Sequence, residues 1–263
     1  MTWLVGIGWG AVTLGQVALW WDQRRRSDAS LVDVGWSAAI AALAVLYALA
    51  GDGLAERRAL VGALGAIWGA RLAWHLGRRI LGGARVEDGR YRALRAAWGD
   101  RANRNFFVFF QVQAIWSVMF SIPLVIAMGG DRPLAWTDAV GVVIWAIGVG
   151  GEAIADAQLA RFRARADQRG KTCRDGLWRY SRHPNYFFEW ITWWAYVAIA
   201  WGAPHGWVAL LGPAVMLAFL IKVTGIPHTE AQALRSRGDD YRAYQRTTSV
   251  FVPWFPKPDP EEA

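Results

Sequence analysis

Residues 180–190 read YSRHPNYFFEW, and residues 191–200 continue as ITWWAYVAIA. The first stretch brings Arg182, His183, Asn185 and Glu189 to the start of a segment that is otherwise Trp, Tyr, Phe, Ile and Ala. Proline suits the first turn of a helix, where its missing N–H would have no intrahelical partner anyway. Pro184 therefore predicts a helix start, and residues 184–200 are apolar enough to enter a bilayer. Asn185 and Glu189 lie four residues apart and share one helix face. A helix N-terminus attracts anions through its free N–H groups and its dipole. Arg174, Arg179 and Arg182 lie just upstream. The stretch thus predicts a membrane helix that begins at a ligand site, with anionic groups near the arginines and hydrogen-bond donors of the ligand on Glu189.

The rest of the chain agrees with a membrane setting. Of 263 residues 54% are hydrophobic and 18 are Trp, and mean hydropathy is +0.16. Apolar runs of about 20 residues recur, the length a helix needs to cross a bilayer. The expected fold is all-α, a polytopic bundle of about seven spans near 2–21, 31–50, 60–76, 106–128, 135–155, 184–200 and 207–223. The length suits one domain over 1–263. Lys and Arg concentrate at 24–26, 78–104, 161–182 and the tail, while the alternate loops hold few. That alternation predicts an N-terminus outside and a C-terminus in the cytoplasm. The start, MTWLVGIGWG, has no basic stretch or small-residue cleavage site, so it reads as a first span. The net charge of +8 reads as topology and contact with membrane lipids rather than nucleic acid. Cys173 is the single cysteine, the four His are scattered, and no HExxH or CxxC occurs; no metal is expected.

Ionisable residues at membrane depth are costly and point to function. Asp33 opens the second span, Arg71 and His75 lie one turn apart in the third, and Glu152 and Asp156 are spaced i, i+4 in the fifth. Lys222 closes the last span and reads as a snorkelling side chain. Residues 148–153, GVGGEA, fit a dinucleotide fingerprint, but they lie inside an apolar helix. There small residues mean close helix packing, not phosphate binding. Trp193, Trp194 and Trp201 are expected to face lipid or the membrane interface. Cys173 is expected in an exposed basic loop, where Lys171 and Arg174 would lower its pKa.

These residues carry a resemblance. YSRHPNYFFEW and the tail IPHTEAQALRSRGDDYRAYQRTTSVFVPWFP are similar to bacterial membrane proteins of the steroid 5α-reductase C-terminal domain type (DUF1295). DASLVDVGW, IWGARLAWHL and DGRYRALRAAWGD extend the likeness over nearly the whole chain, with the defining motifs in about 150–256. The resemblance implies a helical bundle open to the cytoplasm, in a bacterial inner membrane. It implies NADPH as cofactor and a lipophilic small-molecule substrate that enters from the bilayer. The implied reaction is reduction of a conjugated C=C bond. Asp156 and Arg163 correspond to the part that holds the adenosine half, and Lys171 stands where the family often has a cofactor-binding arginine. Asn185 and Glu189 correspond to groups on the nicotinamide side, and Arg71 to a cofactor-contacting arginine. Tyr244 corresponds to a tyrosine of the tail. Tyr180, Arg182, His183, Tyr186 and Glu230, all in the shared motifs, complete the implied cofactor set.

The reacting groups differ from the steroid reductases. Val32 and Asp33 stand in place of a glutamine-glutamate pair, and Trp68 in place of a catalytic tyrosine. An indole N–H donates a hydrogen bond but supplies no proton. The expected catalytic set is therefore Asp33, His75 and Trp68, with Asp33 and His75 substituting for the lost groups. Two other functions compete. One is an S-adenosylmethionine-dependent methyltransferase of the isoprenylcysteine carboxyl methyltransferase type, which shares an RHP-x-Y module. The other is a non-enzymatic lipid-binding relative. The large supply of arginine favours the reductase, because S-adenosylmethionine carries no phosphate.

Overall fold

The computed structural model describes residues 2–82, 86–223 and 225–259, and all regular structure among them is helical. Residues 83–85 of the Arg-rich connection lie outside the described residues. The chain divides into two compact units, residues 1–135 with 200–209, and residues 136–199 with 210–263. The first holds α1 (Thr2–Arg26), α2 (Leu31–Ala50), α3 (Ala55–Leu81), α4 (Gly89–Trp98) and α5 (Ala102–Met128). The second holds α6 (Trp136–Ala164), α7 (Pro184–Ile199), α8 (Leu211–Ala218), α9 (Ile226–Arg237) and α10 (Asp239–Thr247).

Among the described residues, six helical segments are long and apolar enough to cross a membrane: Thr2–Arg26, Leu31–Ala50, Ala55–Ile80, Gly89–Met128, Trp136–Ala164 and Gly206–Arg237. α7, expected as a further span, has 16 residues, short of the roughly 20 a bilayer requires. It packs along α6, one of the six. The two helices approach through glycines. A Cβ on Gly148 would come within 2.8 Å of the Thr192 nitrogen, and one on Gly141 within 2.8 Å of the Ala195 oxygen. Gly151 faces the Phe188 ring, whereas Gly150 faces open space. The small residues of the fingerprint-like stretch are thus a helix-packing surface, as expected.

In the first unit α3 seats on α2 in the same way. A Cβ on Gly69 would meet the Ser37 oxygen at 2.8 Å and the Ala41 nitrogen at 2.9 Å, and Gly65 faces Ala44. Two arginines at the start of α3 satisfy carbonyls that helix ends leave open. Arg58 donates to the oxygens of Ala48 (2.7 Å), Leu49 (3.3 Å) and Gly53 (2.8 Å) around the end of α2. Arg57, fully buried, donates to Arg132 O at 3.1 Å, Pro133 O at 3.3 Å and Ala127 O at 3.5 Å beyond and at the end of α5. Pro123 lies inside α5, and the helix continues through it.

Two expectations need correction. Trp193 does not face lipid: it is 1% exposed, and its Nε1 donates to Glu189 Oε1 at 3.0 Å. Trp194 and Trp201 are exposed as expected. Cys173 is buried, not exposed, and clusters with Phe162 and Trp178. Burial pushes its thiol up rather than down, over the opposing pull of a backbone hydrogen bond and nearby arginines. Lys222 is exposed, in keeping with a snorkelling side chain.

Candidate functional site

The candidate residues fall into two sets, one in each unit. In the first unit, Asp33 sits in the opening turn of α2. Both its oxygens are engaged: Oδ2 accepts from Arg90 Nη2 at 2.7 Å and Oδ1 from the Tyr91 hydroxyl at 2.7 Å. Arg90 also donates to Asp88, the N-cap of α4. Burial opposes ionisation of Asp88, but hydrogen bonds and charge from Arg90 outweigh it and hold the carboxyl below its ordinary value. Beside it, buried Glu87 accepts from the Ala29 nitrogen at 2.9 Å and Arg95 at 2.7 Å, and Arg95 reaches Gln23 at 3.1 Å. Asp33 is therefore part of a carboxylate-arginine clamp that ties α1, α2 and α4. Trp68 is 1% exposed and packs edge-to-face on Trp36, which packs on Phe120. It is a core residue. Arg71 is half-buried, and His75, one turn later, is exposed.

In the second unit the opening stretch forms a knot with the tail. Arg182 Nε donates to Glu230 Oε1 at 2.7 Å, and its Nη1 donates to the oxygens of Gln245 (3.0 Å) and Thr248 (2.8 Å) at the end of α10. Glu230 also accepts from Gln245 Nε2 at 2.8 Å and the Tyr241 hydroxyl at 3.3 Å, and meets His183 Nε2 at 3.3 Å. His183 is buried and stacks on Tyr186 at 5.3 Å. Burial disfavours its charged form more than the hydrogen bond and charge of Glu230 favour it, so its pKa lies below the ordinary value. Tyr244 donates from its hydroxyl to the oxygens of Trp178 and Ser181. Tyr180 O accepts from the Trp254 nitrogen at 2.9 Å. Arg182, His183, Glu230, Tyr180 and Tyr244 are thus brought together as a closure of the fold.

The remaining candidates lie along α6 and the start of α7. Asn185 Nδ2 donates to Asp156 Oδ1 at 3.2 Å, and its own Oδ1 accepts from the Tyr186 nitrogen at 3.1 Å. Glu189 is buried one turn later. On α6, Asp156, Leu159 and Arg163 follow at i, i+3 and i+7, on one face. Beyond Asp156 lies a cavity of about 130 Å³ lined by Leu159, Phe162, Arg163, Gln168, Arg169, Gly170, Lys171, Cys173 and Arg237. Four cationic side chains, Arg163, Arg169, Lys171 and Arg237, thus surround a small volume. Arg163 and Lys171 were expected there. Arg169 and Arg237 were not, and nothing in the spacing of Arg237 singles it out. Arg90 and Tyr91 were also missed, although Tyr91, Leu94 and Trp98 make an apolar stripe at i, i+3 and i+7. Among the described residues no group of His, Cys, Asp and Glu could hold a metal.

The fold defines a class: an all-α polytopic membrane protein whose basic and acidic side chains gather at helix ends. The chain belongs to the family described as protein of unknown function (DUF1295), which it matches over residues 19–248. Comparison with curated proteins and with solved structures gave no match.

Proposed function

We propose that the protein is an NADPH-dependent reductase of a conjugated C=C bond in a lipophilic substrate, working in a bacterial inner membrane. The observation that carries this reading is the cavity lined by Arg163, Arg169, Lys171 and Arg237. Its donor set suits phosphate, which guanidinium groups bind with paired, charge-assisted hydrogen bonds. Its volume equals about four water molecules, so it would hold one phosphate-bearing end of a dinucleotide. Asp156 lies seven residues earlier on the same face, about 10 Å along the axis. With Asn185 it offers the acceptors and amide that ribose hydroxyls and a carboxamide require. S-adenosylmethionine has no phosphate, and its sulfonium would be repelled by these cations.

When bound, NADPH supplies the hydride that an electron-poor alkene carbon accepts. The chain holds the cofactor, excludes water and orients the substrate. Of the three expected catalytic residues, Trp68 is packed in the core and Asp33 is clamped by Arg90 and Tyr91. His75 is exposed.

Thermal unfolding of the detergent-purified protein with NADPH, NADH or S-adenosylmethionine tests the reading, since a ligand of the folded state raises its stability. NADPH should stabilise most. Arg163→Gln and Lys171→Gln should each weaken it about tenfold, the loss of one charge-assisted hydrogen bond. Stabilisation by S-adenosylmethionine instead, or by none of the three, overturns the proposal.

A further inference from the structure

The tail beyond α10 is extended and pinned at both ends. The Arg182 nitrogen donates to Ser249 O at 2.8 Å, the Trp254 nitrogen to Tyr180 O at 2.9 Å, and the Lys257 nitrogen to Thr247 O at 2.8 Å. Ser181 Oγ donates to Phe251 O at 2.8 Å, and Arg246 grips Asp259 with two bonds, at 2.9 and 3.0 Å. Residues 249–254 thus run antiparallel to 180–182 as a strap. Phe251 turns inward against Phe187 and Trp190 of α7. Its neighbours turn outward. Val250 and Val252 are exposed, Trp254 is 67% exposed and Phe255 is 75% exposed, with Tyr180 packed edge-on to Phe255 at 6.2 Å.

A fixed backbone that holds out two valines, a tryptophan and a phenylalanine is unusual for a surface in water. Its height on the protein explains it. Trp178 Nε1 donates to Ala155 O at 2.9 Å and the Leu177 nitrogen to Gln158 Oε1 at 2.9 Å. The turn that carries Tyr180 is therefore level with residues 155–158 of α6, where the apolar run of that helix gives way to Asp156, Arg161 and Arg163. Tyr180 lies two residues from Trp178, at most about 7 Å of chain. The exposed rings are thus level with the end of that apolar run, and Arg179 and Lys257, both exposed, flank them. Through Phe251 they are continuous with Trp190 and Trp194 on α7, which pack edge-to-face at 5.8 Å. Trp and Tyr rings favour that boundary because one end is apolar and the other wet.

We propose that the strap 250–258 is an interfacial anchor: Val250, Val252, Trp254 and Phe255, with Tyr180, seat in the headgroup layer of the bilayer that α6 crosses. The occupant of this surface is lipid, not a second protein. The anchor holds the closing strap against the start of α7 from the membrane side.

The test uses the full chain in phosphatidylcholine and phosphatidylglycerol vesicles. Cys173→Ala removes the native thiol, and an environment-sensitive fluorophore is attached at Phe255→Cys, with Trp254→Cys as a second position. Asp239→Cys, on α10 where the side chain is 95% exposed, is the water reference. Circular dichroism checks that each labelled protein is helical. A lipid quencher placed just below the headgroups should quench positions 254 and 255 at least about two-fold more than position 239, as the depth preference of aromatic residues requires. Aqueous iodide should show the reverse order. Equal lipid quenching at all three positions overturns the proposal. Iodide access at 254 and 255 would then mean a strap in water, and protection from both quenchers would mean a second copy covers it.

Discussion

Glu230 takes four side chains: Arg182, His183, Tyr241 and Gln245. Removing one partner of a mostly buried pair leaves the other charge uncompensated, and that costs more than the pair contributes. Glu230→Ala should lower stability in detergent by about 2–4 kcal/mol, read by thermal unfolding. Glu230→Gln should cost less, because an amide oxygen still accepts from Arg182. His183 faces Glu230, Arg182 and Tyr186, and it makes the knot sensitive to acid. Its pKa in the fold lies below the ordinary 6.5. Above that value both states are neutral and the group contributes nothing to the slope. As pH falls below it, the unfolded chain takes up a proton that the fold resists, and stability declines. Below about pH 6.5 stability should therefore fall as pH falls, with a slope of at most about 1.4 kcal/mol per pH unit, until the folded-state pKa is passed. His183→Gln should flatten it. An unchanged slope in that variant would assign the acid sensitivity elsewhere.

Among elements, the α6–α7 pair gives a matched test. Gly148→Ala drives a methyl into the Thr192 backbone and should destabilise by about 1–3 kcal/mol. Gly150→Ala enters open space and should be neutral or stabilising by up to about 1 kcal/mol from helix propensity. Equal effects would refute the close approach. At the start of α3, Arg57→Met removes the donors to three carbonyls and should cost about 2–3 kcal/mol. The long apolar runs predicted α1, α2, α3, α5 and α6, since hydropathy over some 20 residues outweighs local detail. α4 was hidden among arginines and read as a connection. Its core stripe of Tyr91, Leu94 and Trp98 is only one residue wide, and the charges around it dominate any average. α9 and α10 were read as tail for a similar reason: they are short, polar, and held by Tyr241, Tyr244 and Ala233 packing on one another.

For the whole molecule, the candidate site was legible in part. The motif residues of the opening stretch do gather, but around Glu230 and the tail, so much of the set expected to touch a cofactor closes the fold. The pairing of Arg182 with carbonyls more than 60 residues away leaves no trace in local spacing. Asp33 was singled out as a polar residue at the start of a span, whereas its partners Arg90 and Tyr91 lay in the unread α4. Arg163 and Lys171 were expected near one another, and the cavity they line with Arg169 and Arg237 gives a further prediction. Because its cations draw an anion through charge, NADPH affinity should fall several-fold between about 0.05 and 0.5 M salt. Titration at both salt concentrations checks this, and a salt-independent affinity would remove the cavity from the binding site.

The strap also orders events in time. Residues 249–254 complete the hydrogen bonding of the turn at 180–182, and they are synthesised well after it. While the ribosome still holds them, the turn before α7 has an open Arg182 amide and an arginine side chain with no helix end to grip. A chain cut short near Gly238 would carry that flaw permanently. The turn at 180–182 is therefore closed only once residues 249–254 have emerged and paired with it.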